Sequence, residues 1–144
     1  MKTWKPLRIL AIITLTAILT ACLTKAKAPE PSAVRDYTDP GQLAALLAER
    51  LEPYVLVDVR TPDEYRSGHI PTAINIPYDK IAASLPTTDT SALVIVYCAS
   101  GGRAALATKT LRGLGYARVV DFEAIGRWKG QIRQGEEPGA CPCR

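Results

Sequence analysis

Two apolar runs constrain the fold more than any other feature of the chain. Tyr54 to Val59 reads YVLVDV and Ala92 to Tyr97 reads ALVIVY. Neither alternates apolar with polar residues, as a strand with one wet face would. Both are continuous and rich in valine, which is the pattern of strands covered on both faces. Helix signals follow each run. After the first comes TPDE, with Thr61 as a cap, Pro62 in the first turn and Glu64 three residues after the cap. This capping-box arrangement opens a short helix to Ser67, and Gly68 ends it. After the second run, RAALATKTLRGLG from Arg103 to Gly115 predicts a longer helix.

Upstream, DPGQLAALLAERL from Asp39 has a cap, a proline at the first helical position, and leucines at 43, 46, 47 and 51, which predict an amphipathic helix. Ala73 to Pro77 predicts a short strand, Tyr78 to Leu85 a short helix, Arg118 to Asp121 a strand, and Gly126 to Gly135 a final helical piece. There is no internal repeat. Strands that alternate with helices predict an α/β chain: a largely parallel central sheet with helices on both faces, and ligands at the carboxyl ends of the strands.

The N-terminus carries Lys2, Lys5 and Arg8, then an uncharged stretch from Ile9 to Thr24. That is the charge-then-apolar order of an export signal. As a helix the stretch would reach roughly 24 Å, short of the about 30 Å of a bilayer core. It closes with LTAC, Leu19 to Cys22, which resembles the lipobox of bacterial lipoproteins. Residues 1–21 are therefore expected to be a removed lipoprotein-type signal, with Cys22 lipidated and residues 22–35 a tether rich in Ala, Pro and Lys. Acyl chains at about 0.8 kcal/mol per buried CH₂ would hold the domain to a bacterial envelope membrane. Leu23 rather than aspartate after Cys22 points to the periplasmic face of the outer membrane. Of the net charge of +4, Lys2, Lys5 and Arg8 account for three units, so the charge gives no reason to expect nucleic-acid binding.

With Cys22 assigned to lipid, Cys98, Cys141 and Cys143 remain, an odd number for an oxidising compartment. Cys98 ends the second apolar run, and Ala99, Ser100, Gly101 and Gly102 separate it from Arg103 and a helix. Small residues here let successive amide N–H groups turn toward one point, and the helix start adds its own unpaired donors and partial positive charge. Arg103 adds a cation where the helix dipole disfavours one, so an anion is the reason for it. Such a loop holds negative charge on sulfur, the form in which cysteine acts as a nucleophile. The plainer alternative is a small apolar residue at a strand end, with glycines that merely make the turn.

YCASGGRA resembles the active-site loop of the rhodanese family, in which cysteine opens a six-residue loop. LVDVRTPDEYRSGHIPTAINIP, Leu56 to Pro77, is similar to that family's Asp-Val-Arg, Glu-Tyr, Gly-His-Ile-Pro and Ile-Pro pattern. VVDFEAIGRWKG resembles its C-terminal segment. The resemblance covers residues 36–138 and leaves 139–144 as a Cys-x-Cys tail. It implies a single rhodanese-like domain and a sulfurtransferase: Cys98 takes the outer sulfur of thiosulfate or a persulfide and passes it to cyanide or a thiol. Ala99, Ser100, Gly101, Gly102 and Arg103 would bind the substrate, and neither cofactor nor metal is implied.

In the same frame, buried pairing that braces the fold is expected of Asp58 and Arg60, His69 is expected to be structural rather than a base, and Trp128 to be core packing. Glu64 and Arg66 read as a solvated helix face or local ion pairs. Glu123 and Ala124 stand where relatives often have two glycines, which would widen that turn or bring a new side chain to the pocket mouth. Ala99 replaces a common arginine. Cys141 and Cys143 are open between a passive or disulfide-bonded tail, a sulfur or redox relay, a soft-metal site, and pairing between chains. Two other functions stand beside sulfur transfer. One is a non-catalytic docking module, against which the retained nucleophile argues. The other is a phosphatase or arsenate reductase, whose loops usually carry one more residue between cysteine and arginine.

Overall fold

The computed structural model describes residues 35–138. The leader, Cys22, the tether up to residue 34, and the tail with Cys141 and Cys143 lie outside the described residues.

The first helix, α1 (Pro40–Glu49), starts where Asp39 accepts a hydrogen bond from the Gln42 amide, and it ends at Arg50 in the left-handed conformation. It buries Leu43, Leu46 and Leu47. Strand β1 (Tyr54–Asp58) follows, then α2 (Pro62–Ser67), β2 (Ile74–Asn75), β3 (Leu93–Cys98), α3 (Gly102–Gly113) and β4 (Arg118–Ala124). A single 3-10 turn, Ile125–Arg127, comes after β4. The strands form one sheet in the order β2-β1-β3-β4, with every pairing parallel.

Every residue of β3 is buried, as its unbroken apolar run predicts. Leu93, Ile95 and Tyr97 face a core made with the α1 leucines, Tyr65 of α2, Ile70 and Phe122. Val94, Val96 and Cys98 face the opposite core, with Ala104, Ala107 and Leu111 of α3 and with Tyr116. The two-residue period of the strand thus splits its side chains between two hydrophobic layers.

Two expected helices are absent. Tyr78 to Leu85 is a run of turns, in which Lys80 N donates to Pro77 O and Ala83 N to Lys80 O. Only Ile81 of that segment is buried, too little to hold so short a helix against its nucleation cost. Gly126 to Gly135 is the 3-10 turn followed by extended chain. There His69 and Arg133 exchange backbone hydrogen bonds of 2.8 and 2.9 Å in an antiparallel bridge. Three glycines weaken a helix in this stretch, and the bridge supplies partners to the extended form. Gly68 makes the approach possible, since a Cβ there would lie 2.8 Å from Ile132 Cγ2. Strand β4 runs three residues beyond its expected end, and its register slips opposite Val96 and Tyr97, so that Phe122 is the extra residue of a bulge.

Candidate active site

Because β1 and β3 are parallel neighbours, both deliver their carboxyl ends, and the first turns of the helices that follow, to one edge of the sheet. Cys98 is the last residue of β3, beside Ala124 of β4. It is fully buried and is a free thiol. Gly101 donates its amide to Cys98 Sγ at 3.0 Å. That geometry needs a backbone φ of 98° at Gly101, a conformation that side-chain-bearing residues rarely adopt. The Gly101 carbonyl then accepts from Ala105 N and starts α3, which has no side-chain cap. Ala99 and Ser100 are exposed at the rim, and Gly102 and Arg103 form the first turn of α3.

Arg103 does not stand free. Its Nη1 donates to Glu64 Oε2 at 2.7 Å and its Nη2 to Glu64 Oε1 at 2.8 Å. Glu64 also accepts from the Thr61 amide and hydroxyl, both at 3.0 Å, which completes the capping box of α2. The Arg103 guanidinium, helped by Thr61, holds the Glu64 carboxyl down at about 2. Glu64 in turn raises Arg103 above the ordinary arginine value, and Cys98 and Asp58 add to this more weakly.

Asp58 and Arg60 form a second, buried pair. Arg60 Nε and Nη2 donate to Asp58 at 2.6 to 3.0 Å, and Nη2 also donates to Gly68 O at 2.6 Å. Asp58 is fully buried and Arg60 nearly so. The Arg60 guanidinium lies 6.0 Å over the Tyr97 ring. The Tyr97 hydroxyl accepts from Ile70 N at 3.0 Å, and burial pushes its pKa up.

His69 stacks on Tyr65 with ring centroids 3.8 Å apart. Its Nδ1 is 3.0 Å from Tyr65 O and its Nε2 3.2 Å from Glu137 O, so both ring nitrogens are occupied by backbone. Its stacking partner Tyr65 belongs to the core on the α1 side, whereas Cys98 belongs to the core on the α3 side. Trp128 packs against the α1-side core and donates from Nε1 to Gln131 O.

Glu123 brings a new side chain to the loop. It holds φ of 67°, and its Cβ is 3.5 Å from where a Cβ on Gly101 would sit. Its carboxylate is paired with Arg127 Nη1 at 2.7 Å.

The residue that sequence reasoning assigned to the wrong company is Glu64. Its spacing from Thr61 is fully accounted for by the capping box, and Arg103 is 39 positions away. The usable signal was topological: adjacent parallel strands place the first turns of their following helices side by side.

A family profile for rhodanese-like domains matches residues 39–124. The chain is 37% identical over 79 residues to a sulfurtransferase of Allochromatium vinosum, a match covering 53% of this chain and 74% of that protein. It is 41% identical over 78 residues to the thiosulfate:glutathione sulfurtransferase of Saccharomyces cerevisiae, covering 45% and 56% of the two chains. The chain thus spans little more than half the length of the yeast relative. The human single-domain sulfurtransferase superposes with a TM-score of 0.55 at 28% identity, over 63% of this chain and 94% of that one.

Proposed function

The chain belongs to the rhodanese-like domain family, and on that premise we propose that it is a sulfurtransferase working through a persulfide on Cys98. The observation that carries this reading is the Gly101 amide directed at Cys98 Sγ at 3.0 Å, at the start of α3. An N–H donor and a helix end favour charge on sulfur and on any sulfur added to it.

In the first half-reaction the Cys98 thiolate attacks the outer sulfur of thiosulfate or of a persulfide. A sulfur–sulfur bond forms on Cys98 as the donor's own breaks, and sulfite or a thiolate leaves. In the second, cyanide or a thiol takes the outer sulfur and returns the Cys98 thiolate. Two covalent steps with a shared intermediate give ping-pong kinetics. The loop amides from Ala99 to Arg103 stabilise the terminal sulfur as an oxyanion hole stabilises oxygen. Asp58 and Arg60 brace the fold as a buried pair, and Arg60 also holds Gly68 O.

Intact-protein mass spectrometry after exposure to sulfane donors tests the reading. A gain of one sulfur atom on Cys98, absent in Cys98→Ser, is expected. No gain with any donor, or hydrolysis of an aryl phosphate in its place, overturns it.

We further infer from the leader that Cys22 is lipidated and anchors the domain in a bacterial envelope; lipid-mass detection on Cys22 checks this. Cys141 and Cys143 stay open between a passive or disulfide-bonded tail, a sulfur or redox relay, a soft-metal site and pairing between chains. A chain truncated before Cys141 that turns over a thiol acceptor unchanged would remove them from the cycle.

A further inference from the structure

We propose that Glu123 is a positioning residue for the Cys98 loop: its Cβ walls the side of Gly101 that faces β4, and so keeps the Gly101 amide on the sulfur. The inference deepens the sulfurtransferase reading and rests on it.

Among the described residues three that carry side chains hold left-handed backbone: Arg50, Thr72 and Glu123. Arg50 closes α1, and Thr72 lies in the turn before β2. Glu123, at φ of 67°, is the one that borders the nucleophile loop. Glycine takes this conformation freely, whereas glutamate takes it only under strain. Such strain persists where the surrounding contacts dictate it, and here they do. The register slip that leaves Phe122 without a partner re-aims the residue after it. Asp121 Oδ1 accepts from the Glu123 amide at 2.8 Å. Arg127 Nη1 holds the Glu123 carboxylate at 2.7 Å, while Arg127 Nη2 donates to Thr38 O at 2.8 Å.

The strained conformation sets the Glu123 Cβ beside Gly101. A Cβ on Gly101 would lie 3.5 Å from Glu123 Cβ and 3.9 Å from Glu123 Cα, so the bare side of Gly101 looks onto Glu123. Gly101 has no side chain to restrict its own backbone, and neighbouring atoms must limit its swing. The amide so restrained is the one that donates to Cys98 Sγ at 3.0 Å.

The charge of Glu123 is led elsewhere. Its partner, the Arg127 guanidinium, lies 5.5 Å over the Phe122 ring. Phe122 belongs to the core on the α1 side and Cys98 to the core on the α3 side. The carboxylate is therefore drawn toward the α1 side, and the stem of the side chain is left against the loop. The role is one of shape, and it applies equally to every sulfur donor.

Two substitutions separate shape from charge and from stability. Glu123→Gly removes the Cβ and relaxes the backbone. Glu123→Ala keeps the Cβ and the left-handed backbone, and removes the carboxylate. The test uses the full chain, with thiosulfate and 2-hydroxyethyl persulfide as donors. Rapid-quench mass spectrometry of Cys98 gives a loading rate constant and a half-saturating concentration for each donor, and scanning fluorimetry gives the melting temperature. Glu123→Gly should load roughly fivefold more slowly than wild type with both donors, through the rate constant alone, as a loosened hydrogen bond to a charged group implies. Glu123→Ala, which gives the Cβ back, should recover most of that rate. Glu123→Gly should nevertheless melt above Glu123→Ala, because both lose the Arg127 pair and only glycine relaxes the backbone. The two variants thus rank in opposite order for stability and for loading, which a merely structural residue would not produce. A wild-type rate constant in Glu123→Gly, equal slowing in Glu123→Ala, or a melting order that matches the loading order overturns the positioning role and leaves sulfur transfer standing. Loading of wild type by neither donor overturns the sulfurtransferase reading and this proposal with it.

Discussion

Gly101 reaches Cys98 Sγ with its amide only because its own backbone stands at φ of 98°. Alanine there meets no steric obstacle, since the nearest heavy atom would be 3.5 Å away. The penalty lies in the backbone, roughly 1–2 kcal/mol for a side-chain-bearing residue in that region. Gly101→Ala should therefore lower the melting temperature modestly and slow sulfur loading of Cys98 by about tenfold to a hundredfold, as loss of a positioned donor does. Stopped-flow loading together with differential scanning fluorimetry checks both parts.

Arg60→Leu should be the most destabilising substitution near the site. Asp58 is fully buried, and among the described residues Arg60 is its only charged hydrogen-bond partner. Removing one member of a buried pair costs about 3–5 kcal/mol, because the other charge stays behind uncompensated. Adding Asp58→Asn to Arg60→Leu should recover part of that loss, as read from urea unfolding curves.

Tyr97→Phe removes the acceptor of the Ile70 amide without leaving a large void. A buried donor left unpaired costs about 1–3 kcal/mol. Since Tyr97 faces the core opposite Cys98, sulfur loading of the folded variant should match wild type.

His69→Ala should also act on stability alone. It deletes the stack on Tyr65 and both backbone contacts, together worth about 2–3 kcal/mol. Loading of Cys98 by the folded variant, and its dependence on pH, should stay at wild-type values. A shifted pH profile would identify His69 as a proton carrier.

The Glu64 carboxyl, held at about 2 against an ordinary 4.5, ties the Arg103 pair to acid conditions. A depressed carboxyl contributes stability that is complete above its unfolded value and is lost as pH falls through its folded value. The stability difference between wild type and Glu64→Gln should therefore be flat above about pH 5 and shrink between about 4.5 and 2. With the Glu64 side chain 35% exposed, its amplitude should not exceed about 1 kcal/mol. Denaturant unfolding at a series of pH values measures it.

The continuous apolar runs of β1 and β3 and the cap of α2 were legible because each is a local pattern. Cys98 was placed correctly at a strand end for the same reason. What the chain did not reveal locally were partnerships set by packing. Gly126 to Gly135 has a composition that a helix tolerates poorly, yet nothing nearby names His69 as the residue that draws Arg133 into extended pairing. Tyr78 to Leu85 shows helical spacing without the buried face that would stabilise it. Glu64 and Arg103 meet only once two parallel strands have closed side by side.

Strand β3 is sandwiched between two dry layers along its whole length, and its final residue is Cys98. Backbone amides of such a strand are expected to be among the slowest in the domain to exchange with solvent hydrogen. The reactive sulfur is thereby mounted on the segment least prone to fraying, while the adaptable parts of the site, Ala99 and Ser100, hang beyond it. In the proposed cycle, fluctuations that admit a donor then pass through the rim without moving the attacking sulfur.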